Sequence, residues 1–270
     1  MDEISTMARV KALWRTLAGD PDTLTTPGCS VVDPTEPGLC PDGWIGVVTL
    51  GDSAVIEAPP ELRSTIEERL VPLHPEADLT DPEVIFPQLG APAVFLGPAI
   101  LAYPESTELP EPEDGPAVEV LGTEDSRVID ILESVSAEEE LESGIDGASE
   151  LFAALVDGIP RALAGYQRWP QEVAHMGVVT HTDFRDRGLA RAAAEAAIRD
   201  ALSKGLLPQW RVRQANSASI WLASRLGLVP MGRQLSFLLT GTIGAPTEQQ
   251  AAPQSTPVEQ AVQFSPRRRD

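Results

Sequence analysis

The segment from Val173 to Ala190 joins an apolar run to an alanine-rich helical pattern through a short polar turn. Residues 173–180 have the composition of a buried strand, and the helical pattern begins at Gly188 and continues to Lys204. The first turn of a helix leaves backbone N–H groups unpaired and carries the positive end of the helix dipole. The segment therefore predicts a strand that leads directly into an anion-binding helix start.

The hydrophobic patterns around this segment alternate between helix and strand spacing. Before it, we expect a helix at 3–18, a turn-rich stretch at 19–43 and a hairpin at 44–58. Helices starting at Pro60 and Pro82 follow, and then one or two short strands at 92–103, interrupted at Gly97-Pro98. Nearer to it and after it, we expect a strand at 117–121, two helices up to Gly144, a hairpin at 151–169, a strand at 209–213, a helix up to Gly227 and a strand at 231–239. This order predicts an α/β (α+β) fold in which helices cover a mixed sheet.

An acidic, proline-rich stretch at residues 104–116 has no apolar periodicity, which is typical of a linker or an exposed loop. We place a domain boundary there, between an N-terminal α/β region at 1–110 and a second domain at 111–240. One domain with a long internal loop is the alternative. Residues 241–270 are rich in Pro and Gln and poor in large apolar side chains, so we expect a disordered tail.

The chain is acidic, with a formal net charge of −21, but the charge is uneven. Residues 161–233 contain eleven Lys and Arg against five Asp and Glu, a local charge of +6. We interpret this basic window as the binding surface of a compact anion, because a long polyanion would meet the acidic surroundings. A chance cluster of solvated arginines is the alternative. The acidity also argues against nucleic acid and anionic membranes as partners.

The sequence also bears on location and on metals. No apolar run approaches the ~20 residues of a membrane span, and the N-terminus lacks the basic and apolar regions of a secretory signal. Cys29 and Cys40 lie in a Pro/Gly-rich loop at a spacing that is no metal motif by itself. We expect reduced thiols, a cytoplasmic location and no bound metal; a disulfide between the two cysteines is the alternative.

Two motifs occur in a fixed order along the second half of the chain. The turn and helix start read RDRGLA from Arg185 to Ala190, and a later helix reads NSASIWLASRLGL from Asn216 to Leu228. In this order they resemble the phosphate loop, Gln/Arg-x-x-Gly-x-Gly/Ala, and the later Asn-x-x-Ala/Ser…Leu-Gly-Phe motif of the GCN5-related N-acetyltransferases, the GNAT family. The resemblance covers about residues 116–240 and implies a GNAT-like twisted mixed sheet covered by helices. It leaves the N-terminal region as an α/β extension or a degenerate GNAT-like half.

The resemblance implies that acetyl-CoA is the acyl donor and that an unidentified primary amine attacks it directly. The pyrophosphate would bind the loop and helix start, while the pantetheine arm would pair with the preceding strand and reach the later helix. The residues so implied in binding are Val178, Val179, Thr180, Arg185, Asp186, Arg187, Gly188, Leu189, Ala190, Arg191, Asn216 and Ser219. The alternative function is a CoA-binding GNAT-like protein without robust transferase activity, acting as a sensor or scaffold.

Three positions depart from the family pattern. Asp186 stands where the loop usually has Gly, and a carboxylate there weakens pyrophosphate binding unless it points outward or caps an amide. Ala223 stands where many members carry a Tyr that protonates the leaving thiolate, and Ala174 stands where a Glu that acts as the base is common. The resemblance therefore leaves the proton-transfer residues to be found elsewhere.

Three other side chains near the strand are candidates for these catalytic roles. His175 is the first candidate base, because an ordinary pKa of about 6.5 suits removal of an ammonium proton near neutral pH. Glu172 is the second candidate base, and Tyr166 is the candidate proton donor. The alternatives are a core histidine, a solvated carboxylate and a packing tyrosine, respectively.

The N-terminal region carries no second phosphate loop. We expect it to form a wall of the acceptor site or a dimerisation surface, so a homodimer is a possible assembly. The acidic surface of the chain would also attract a cationic acceptor. The sequence does not specify the acceptor.

Overall fold

The computed structural model of the chain describes residues 5–35, 38–91, 93–106, 115–244 and 254–255. The helices are α1 (Thr6–Leu17), α2 (Pro60–Arg69), α3 (Pro82–Leu89), α4 (Ser126–Glu133), α5 (Ala137–Ser143), α6 (Leu189–Ser203) and α7 (Ser217–Arg225). The strands are β1 (Gly28–Val32), β2 (Ile45–Leu50), β3 (Ser53–Glu57), β4 (Ala93–Pro104), β5 (Val118–Leu121), β6 (Leu151–Val156), β7 (Ile159–Trp169), β8 (Val173–Thr180), β9 (Leu207–Arg213), β10 (Leu228–Leu239) and β11 (Gln254–Ser255). Short 3-10 turns span Val71–Leu73 and Thr182–Phe184.

The chain divides into two compact units. The first comprises Met1–Leu101, Val212–Ala215 and Pro230–Asp270, and the second comprises Ala102–Arg211 and Asn216–Val229. The sequence-based division into 1–110, 111–240 and 241–270 stays a prediction. Most of the predicted linker and of the predicted tail lies outside the described residues.

The first unit contains the strand order β1-β3-β2-β10-β4. Strands β2 and β3 form the predicted hairpin, and β1 pairs with β3 in parallel. Helix α1 begins after the N-cap Ser5 and buries Val10, Leu13, Trp14 and Leu17, which confirms its amphipathic pattern. Cys29 and Cys40 of this unit are free thiols.

Two expectations about the first unit are wrong. Residues 28–32, predicted as part of a turn-rich stretch, form β1, because pairing with β3 stabilises a five-residue run that is too short to show alternation by itself. Residues 93–104 form a single strand rather than an interrupted one. Gly97 permits this because its backbone lies against the neighbouring strand: a Cβ there would be 2.9 Å from the carbonyl oxygen of Gln234.

The second unit contains the strand order β9-β8-β7-β6-β5, in which β8 and β9 are parallel and the other neighbours are antiparallel. The predicted hairpin and the predicted strand–turn–helix segment are both present. The mixed α/β class predicted from the sequence is therefore confirmed. Within the described residues, no helix combines the length and the apolarity that a membrane crossing needs.

Helices cover both faces of the second unit's sheet. On one face, Leu163 and Val179 pack with Val128 and Ile131 of α4 in a buried cluster. On the other face, Tyr166 donates a 2.6 Å hydrogen bond to Asp200 of α6. Because strand residues alternate between faces, α4 and α6 lie on opposite sides of β7 and β8.

Helix α5 lies on the same face of the sheet as α4 and ends directly over β8. It ends at Gly144, as predicted from the sequence. A Cβ built on Gly177 of β8 would be 2.5 Å from the carbonyl carbon of Gly144 and 2.7 Å from the carbonyl oxygen of Ser143. Only glycine fits at Gly177, so this strand position fixes where the end of α5 can lie.

Candidate functional site

The start of α6 is open to a ligand. Its N-cap, Gly188, has φ 75° and makes no side-chain cap hydrogen bond, and a Cβ built there would meet no atom within 4 Å. The backbone donors of the first turn are therefore not covered by a capping side chain, and the helix dipole adds positive potential at the same place. The helix start predicted from the sequence is therefore present and uncapped, and anion binding there stays a prediction.

Three arginines lie at or beside this helix start. Arg185 is exposed and forms a 2.8 Å ion pair with Glu139 of α5. Arg187 is exposed, donates to the carbonyl oxygen of Asp183 and lies over the ring of Phe184. Arg191 lies in the first turn of α6. Of the three, Arg185 and Arg191 border the open helix start, whereas Arg187 is directed to Asp183 and Phe184.

The backbone conformation of Asp186 accounts for an Asp at a loop position that usually has Gly. Its φ is 60°, in the left-handed region that glycine adopts freely and that Asp tolerates better than most residues. Its side chain is exposed. The loop conformation that usually calls for Gly is therefore kept with an Asp.

Strands β8 and β9 pair over only a short stretch. Their register covers Val173 with Leu207, Ala174 with Pro208 and His175 with Gln209. Beyond His175 the described residues of the two strands form no further pairs, although β8 continues to Thr180. The two parallel strands therefore separate as they approach the loop.

The separation exposes one edge of the β8 backbone. Alternate residues of an antiparallel strand direct their N–H and C=O groups to opposite sides. His181 donates to Arg161 of β7 at 2.9 Å, and Leu207 of β9 donates to Glu172 at 2.8 Å, so even-numbered residues of β8 face the β9 side. Val178 therefore directs both backbone groups into the gap between the strands.

A cavity of about 560 Å³ occupies this gap and the adjoining loop. It is lined by all but one of the residues predicted to bind the cofactor, namely Val178, Val179, Thr180, Arg185, Asp186, Gly188, Leu189, Ala190, Arg191, Asn216 and Ser219. Arg187 does not line it. The residues chosen by motif order are thus brought together around a single cavity.

Helix α7 forms another wall of the cavity. Asn216 is its N-cap, and its side-chain oxygen accepts a 3.0 Å hydrogen bond from the Ser219 backbone N–H. The Ser219 hydroxyl accepts a 2.9 Å hydrogen bond from Trp210 of β9, which ties the helix start to the strand. Trp221 also lines the cavity, and it is 63% exposed. Ala223 of α7 is buried. Because an alanine side chain has no O–H or N–H group, α7 offers no proton donor at that position.

His175 lies outside the cavity lining, on the face of the sheet that α5 covers. Its ring stacks on Trp169 at a centroid distance of 4.4 Å, and its Nδ1 is 3.1 Å from Oε1 of Gln209. Gln209 in turn donates a 2.7 Å hydrogen bond to the hydroxyl of Tyr103. Burial, aided by the charge of Arg211, lowers the pKa of His175 to about 4, so the ring is neutral at neutral pH.

The other two predicted catalytic residues also lie away from the cavity lining. Tyr166 donates to Asp200 and accepts a 3.2 Å hydrogen bond from Lys204 on the α6 face, and burial raises its pKa. Glu172 is exposed at the start of β8, 4.0 Å from Arg168. The catalytic roles assigned to these side chains and to His175 stay predictions.

Three charged residues line the cavity that the sequence analysis did not single out: Glu139, which pairs with Arg185, and Glu142 and Arg211. Glu142 of α5 was assigned only to an acidic helix, and Arg211 was assigned only to a short strand. The Arg211 Nε is buried and has no hydrogen-bond partner among the described residues, and burial lowers the Arg211 pKa to about 10. An arginine between the buried residues Trp210 and Val212 was the available signal. Among the described residues, no group of three or more His, Cys, Asp or Glu side chains is placed to hold a metal ion.

Comparisons with known proteins address the same part of the chain. Residues 164–232 match the family model described as GNAT acetyltransferase. An acetyltransferase from the GNAT family of Colwellia psychrerythraea is similar in structure over 88% of this chain and 98% of that chain, with a TM-score of 0.52 and 15% identity. A GCN5-related N-acetyltransferase-like protein from Streptococcus suis covers 67% of this chain and 69% of its own, with a TM-score of 0.40 and 18% identity. No curated protein matches the sequence.

The family match falls within the predicted segment 116–240 and runs from the second half of β7 through β8, the loop, α6, β9 and α7 to the start of β10. The resemblance inferred for the C-terminal part is therefore confirmed. At 15% identity the Colwellia structure bears on the fold alone, and it agrees with a mixed sheet covered by helices.

Proposed function

From a C-terminal part that matches the GNAT acetyltransferases, we propose that this chain is an acyl-CoA-dependent N-acyltransferase. It moves an acetyl group from acetyl-CoA to a primary amine by direct attack. The observation that carries the proposal is the continuity of one cavity from the open edge of β8 to the open start of α6. One end suits an amide-bearing arm and the other suits a pyrophosphate.

The loop end of the cavity fits the phosphates of CoA. The backbone around Gly188 has room for a ligand where a side chain would otherwise project, and Arg185 and Arg191 line the same space. Guanidinium groups bind phosphate oxygens through paired N–H donors, and a helix start adds backbone donors. These residues would hold the pyrophosphate without a metal ion.

The strand end of the cavity fits the pantetheine arm. Val178 and Thr180, both even-numbered, direct backbone groups into the gap, so an amide-bearing chain can pair with Thr180 and with the Val178 C=O as an additional strand would, and the Val178 N–H stays available for the acyl group. Asn216 and Ser219 at the start of α7 line the opposite side. The cavity volume of about 560 Å³ lies in the range of ordinary ligand sites.

The acyl transfer requires an amine, a polarised carbonyl and a proton acceptor. The amine nitrogen forms a bond to the thioester carbonyl carbon, the carbon–sulfur bond breaks, and the ammonium proton passes to a base. The Val178 N–H would polarise the carbonyl oxygen. Glu142 is a carboxylate on the cavity wall, so we propose it as a base beside the candidates His175 and Glu172.

A specific observation favours a second function, CoA binding without robust transfer. Ala223 is buried where many relatives carry a proton-donating Tyr. Of the described residues that line the cavity, none is a tyrosine. A protein of this kind would bind CoA as a sensor or scaffold.

Release of free thiol from acetyl-CoA, measured with and without a pool of primary amines, separates the two functions. The transferase predicts thiol release that depends on at least one amine. CoA binding in the micromolar range with no amine-dependent release would favour the sensor. If CoA produces no shift in the unfolding temperature, both functions are excluded.

We also propose a cytoplasmic protein whose partners are acetyl-CoA and the amine, without nucleic acid or membrane. The net charge of −21 supports this, because it opposes binding to other polyanions. A homodimer stays a prediction.

A further inference from the structure

Arg211 is a cation in the cavity that the proposed binding of CoA does not use. Its Nε is buried without a hydrogen-bond partner, and none of the ion pairs among the described residues includes Arg211. Even with its pKa lowered to about 10, the side chain is charged at neutral pH. A partly buried guanidinium without a counter-ion is unfavourable, so a ligand that supplies an anion there gains binding energy.

The strand register places Arg211 away from the phosphate end. Gln209 pairs with His175, so Arg211 lies two residues further along β9, on the same face and about level with Gly177. Gly177 precedes the end of β8 at Thr180 by three residues, or about 10 Å of strand. The pyrophosphate already has Arg185 and Arg191 at the loop, whereas Arg211 lies where the acyl group would be transferred.

A carboxylate of the protein lines the same stretch of the cavity. The end of α5 contacts β8 at Gly177, where the Gly144 carbonyl carbon would be 2.5 Å from a Cβ. This contact brings Glu142 and Ser143 of α5 to the cavity wall. The transfer region therefore presents a guanidinium from β9 and a carboxylate from α5.

We propose that the acceptor is an amino acid, whose carboxylate binds Arg211 while its amino group faces Glu142. The inference rests on the proposed acyltransferase function and names its acceptor class. The guanidinium fork matches a carboxylate in two parallel hydrogen bonds, and the Glu142 carboxylate favours an ammonium group. The pair of opposite charges thus fits a zwitterion better than a polyamine, which would meet Arg211 with a like charge.

Three matched pairs of probes test the acceptor class: L-alanine with ethylamine, L-leucine with 3-methylbutylamine, and L-phenylalanine with 2-phenylethylamine. Each pair differs only in the carboxylate. We expect a lower KM for the amino acid than for the matching amine in at least one pair. Arg211→Met should raise the KM for that amino acid on the order of 30-fold and leave the KM for the matching amine unchanged. Arg211→Lys should restore part of the loss. Each acceptor is assayed with acetyl-CoA as the donor and, separately, with succinyl-CoA.

Calorimetric titration of CoA into wild type and Arg211→Met distinguishes the outcomes. Equal CoA affinity in both, with an acid preference that Arg211→Met abolishes, supports the inference. Equal CoA affinity with no acid preference in any pair overturns the inference and leaves the acyltransferase proposal standing. If Arg211→Met impairs transfer from succinyl-CoA but not from acetyl-CoA, Arg211 binds the carboxylate of the acyl group. That result also overturns the inference. Absence of CoA binding to wild type refutes the proposed function itself.

Discussion

His175 lies on β8, the strand that leads into the loop, but its side chain does not line the cavity. Alternation along β8 puts its side chain on the face covered by α5, stacked on Trp169, while Val178 presents its backbone to the cavity. The hydrogen bond between Nδ1 and Gln209 leaves Nε2 as the acceptor nitrogen of the neutral ring. A base whose conjugate acid has a pKa of about 4 is a weak acceptor for an ammonium proton.

The lowered pKa of His175 makes a prediction about stability. Between about pH 4 and pH 6.5 the unfolded chain binds a proton at this residue that the folded chain does not, so stability falls as the pH falls through that range. The free energy of unfolding of wild type should therefore drop more steeply from pH 7 to pH 4.5 than that of His175→Gln, by roughly 2 kcal/mol. Urea titrations at the two pH values measure the difference. If the free energies of unfolding of wild type and His175→Gln change equally with pH, the folded protein does not hold the His175 ring neutral.

The cavity residues of the loop and helix start at 185–191 were predictable from the sequence, whereas Glu142 and Arg211 were not. A strand, a turn with Gly188 and a helix start are adjacent in the chain, so local patterns reveal them. Glu142 and Arg211 reach the same cavity from α5 and β9 only through sheet pairing and the contact at Gly177. No local periodicity encodes that convergence.

At the scale of elements, the end of α5 and strand β8 define one side of the cavity. Their close approach requires glycine at position 177, because any side chain at Gly177 would overlap the backbone of Gly144 and Ser143. The capping box of Ser136 and Glu139 fixes the other end of α5. The short helix is thereby positioned at both ends.

Gly177→Ala tests this contact. A methyl group 2.5 Å from a backbone carbon forces α5 or β8 to shift, so we expect a loss of about 1–3 kcal/mol in the free energy of unfolding. Gly122→Ala is the matched control, because a Cβ built at Gly122 meets nothing within 4 Å. Chemical denaturation of both variants provides the comparison. Equal stability of the two would mean that α5 does not lie against β8.

The ion pair between Glu139 and Arg185 links α5 to the loop before α6, the proposed phosphate site. The Ser136 backbone N–H and the Arg185 guanidinium hold the pKa of Glu139 below its ordinary range, so the carboxylate is charged and competes with a phosphate for Arg185. Glu139→Gln should therefore tighten CoA binding about twofold to fivefold, in line with the modest strength of exposed pairs. Glu140→Gln removes the same charge from the same helix and should change the affinity less. Unchanged or weaker CoA binding by Glu139→Gln would contradict the competition.

At the scale of the whole molecule, the alternation of helix and strand patterns was enough to predict a mixed α/β fold. The strand–turn–helix segment and the two hairpins were correct because their patterns are local. Strand β1 was missed because a five-residue run in a loop-like composition acquires its strand character from pairing with β3. The end of β8–β9 pairing after His175 depends on tertiary structure, so no local pattern in the sequence predicts it.

The distribution of charge over the chain predicts how salt affects CoA binding. The protein carries −21 overall but +6 in residues 161–233, and CoA is a polyanion. Near 0.15 M salt the screening length is about 8 Å, so the arginines in contact with bound CoA affect its affinity more than the distant acidic residues do. The Kd for CoA should therefore rise severalfold between about 50 and 300 mM salt, as titrations at several salt concentrations would show. An affinity that increases with salt would mean that the overall acidity dominates.

The most direct test of a CoA cavity at the start of α6 compares two glycines of the same helix. Gly188 and Gly205 lie at its opposite ends with φ of 75° and 74°, and a Cβ at either meets nothing within 4 Å, so Glu imposes a similar backbone cost at both. Only Gly188 lines the cavity. Calorimetric titration should show CoA binding to wild type and Gly205→Glu, and at least about a tenfold loss of affinity in Gly188→Glu, because the new carboxylate repels the pyrophosphate. Equal CoA affinity in the two variants would contradict the assignment of the phosphate site.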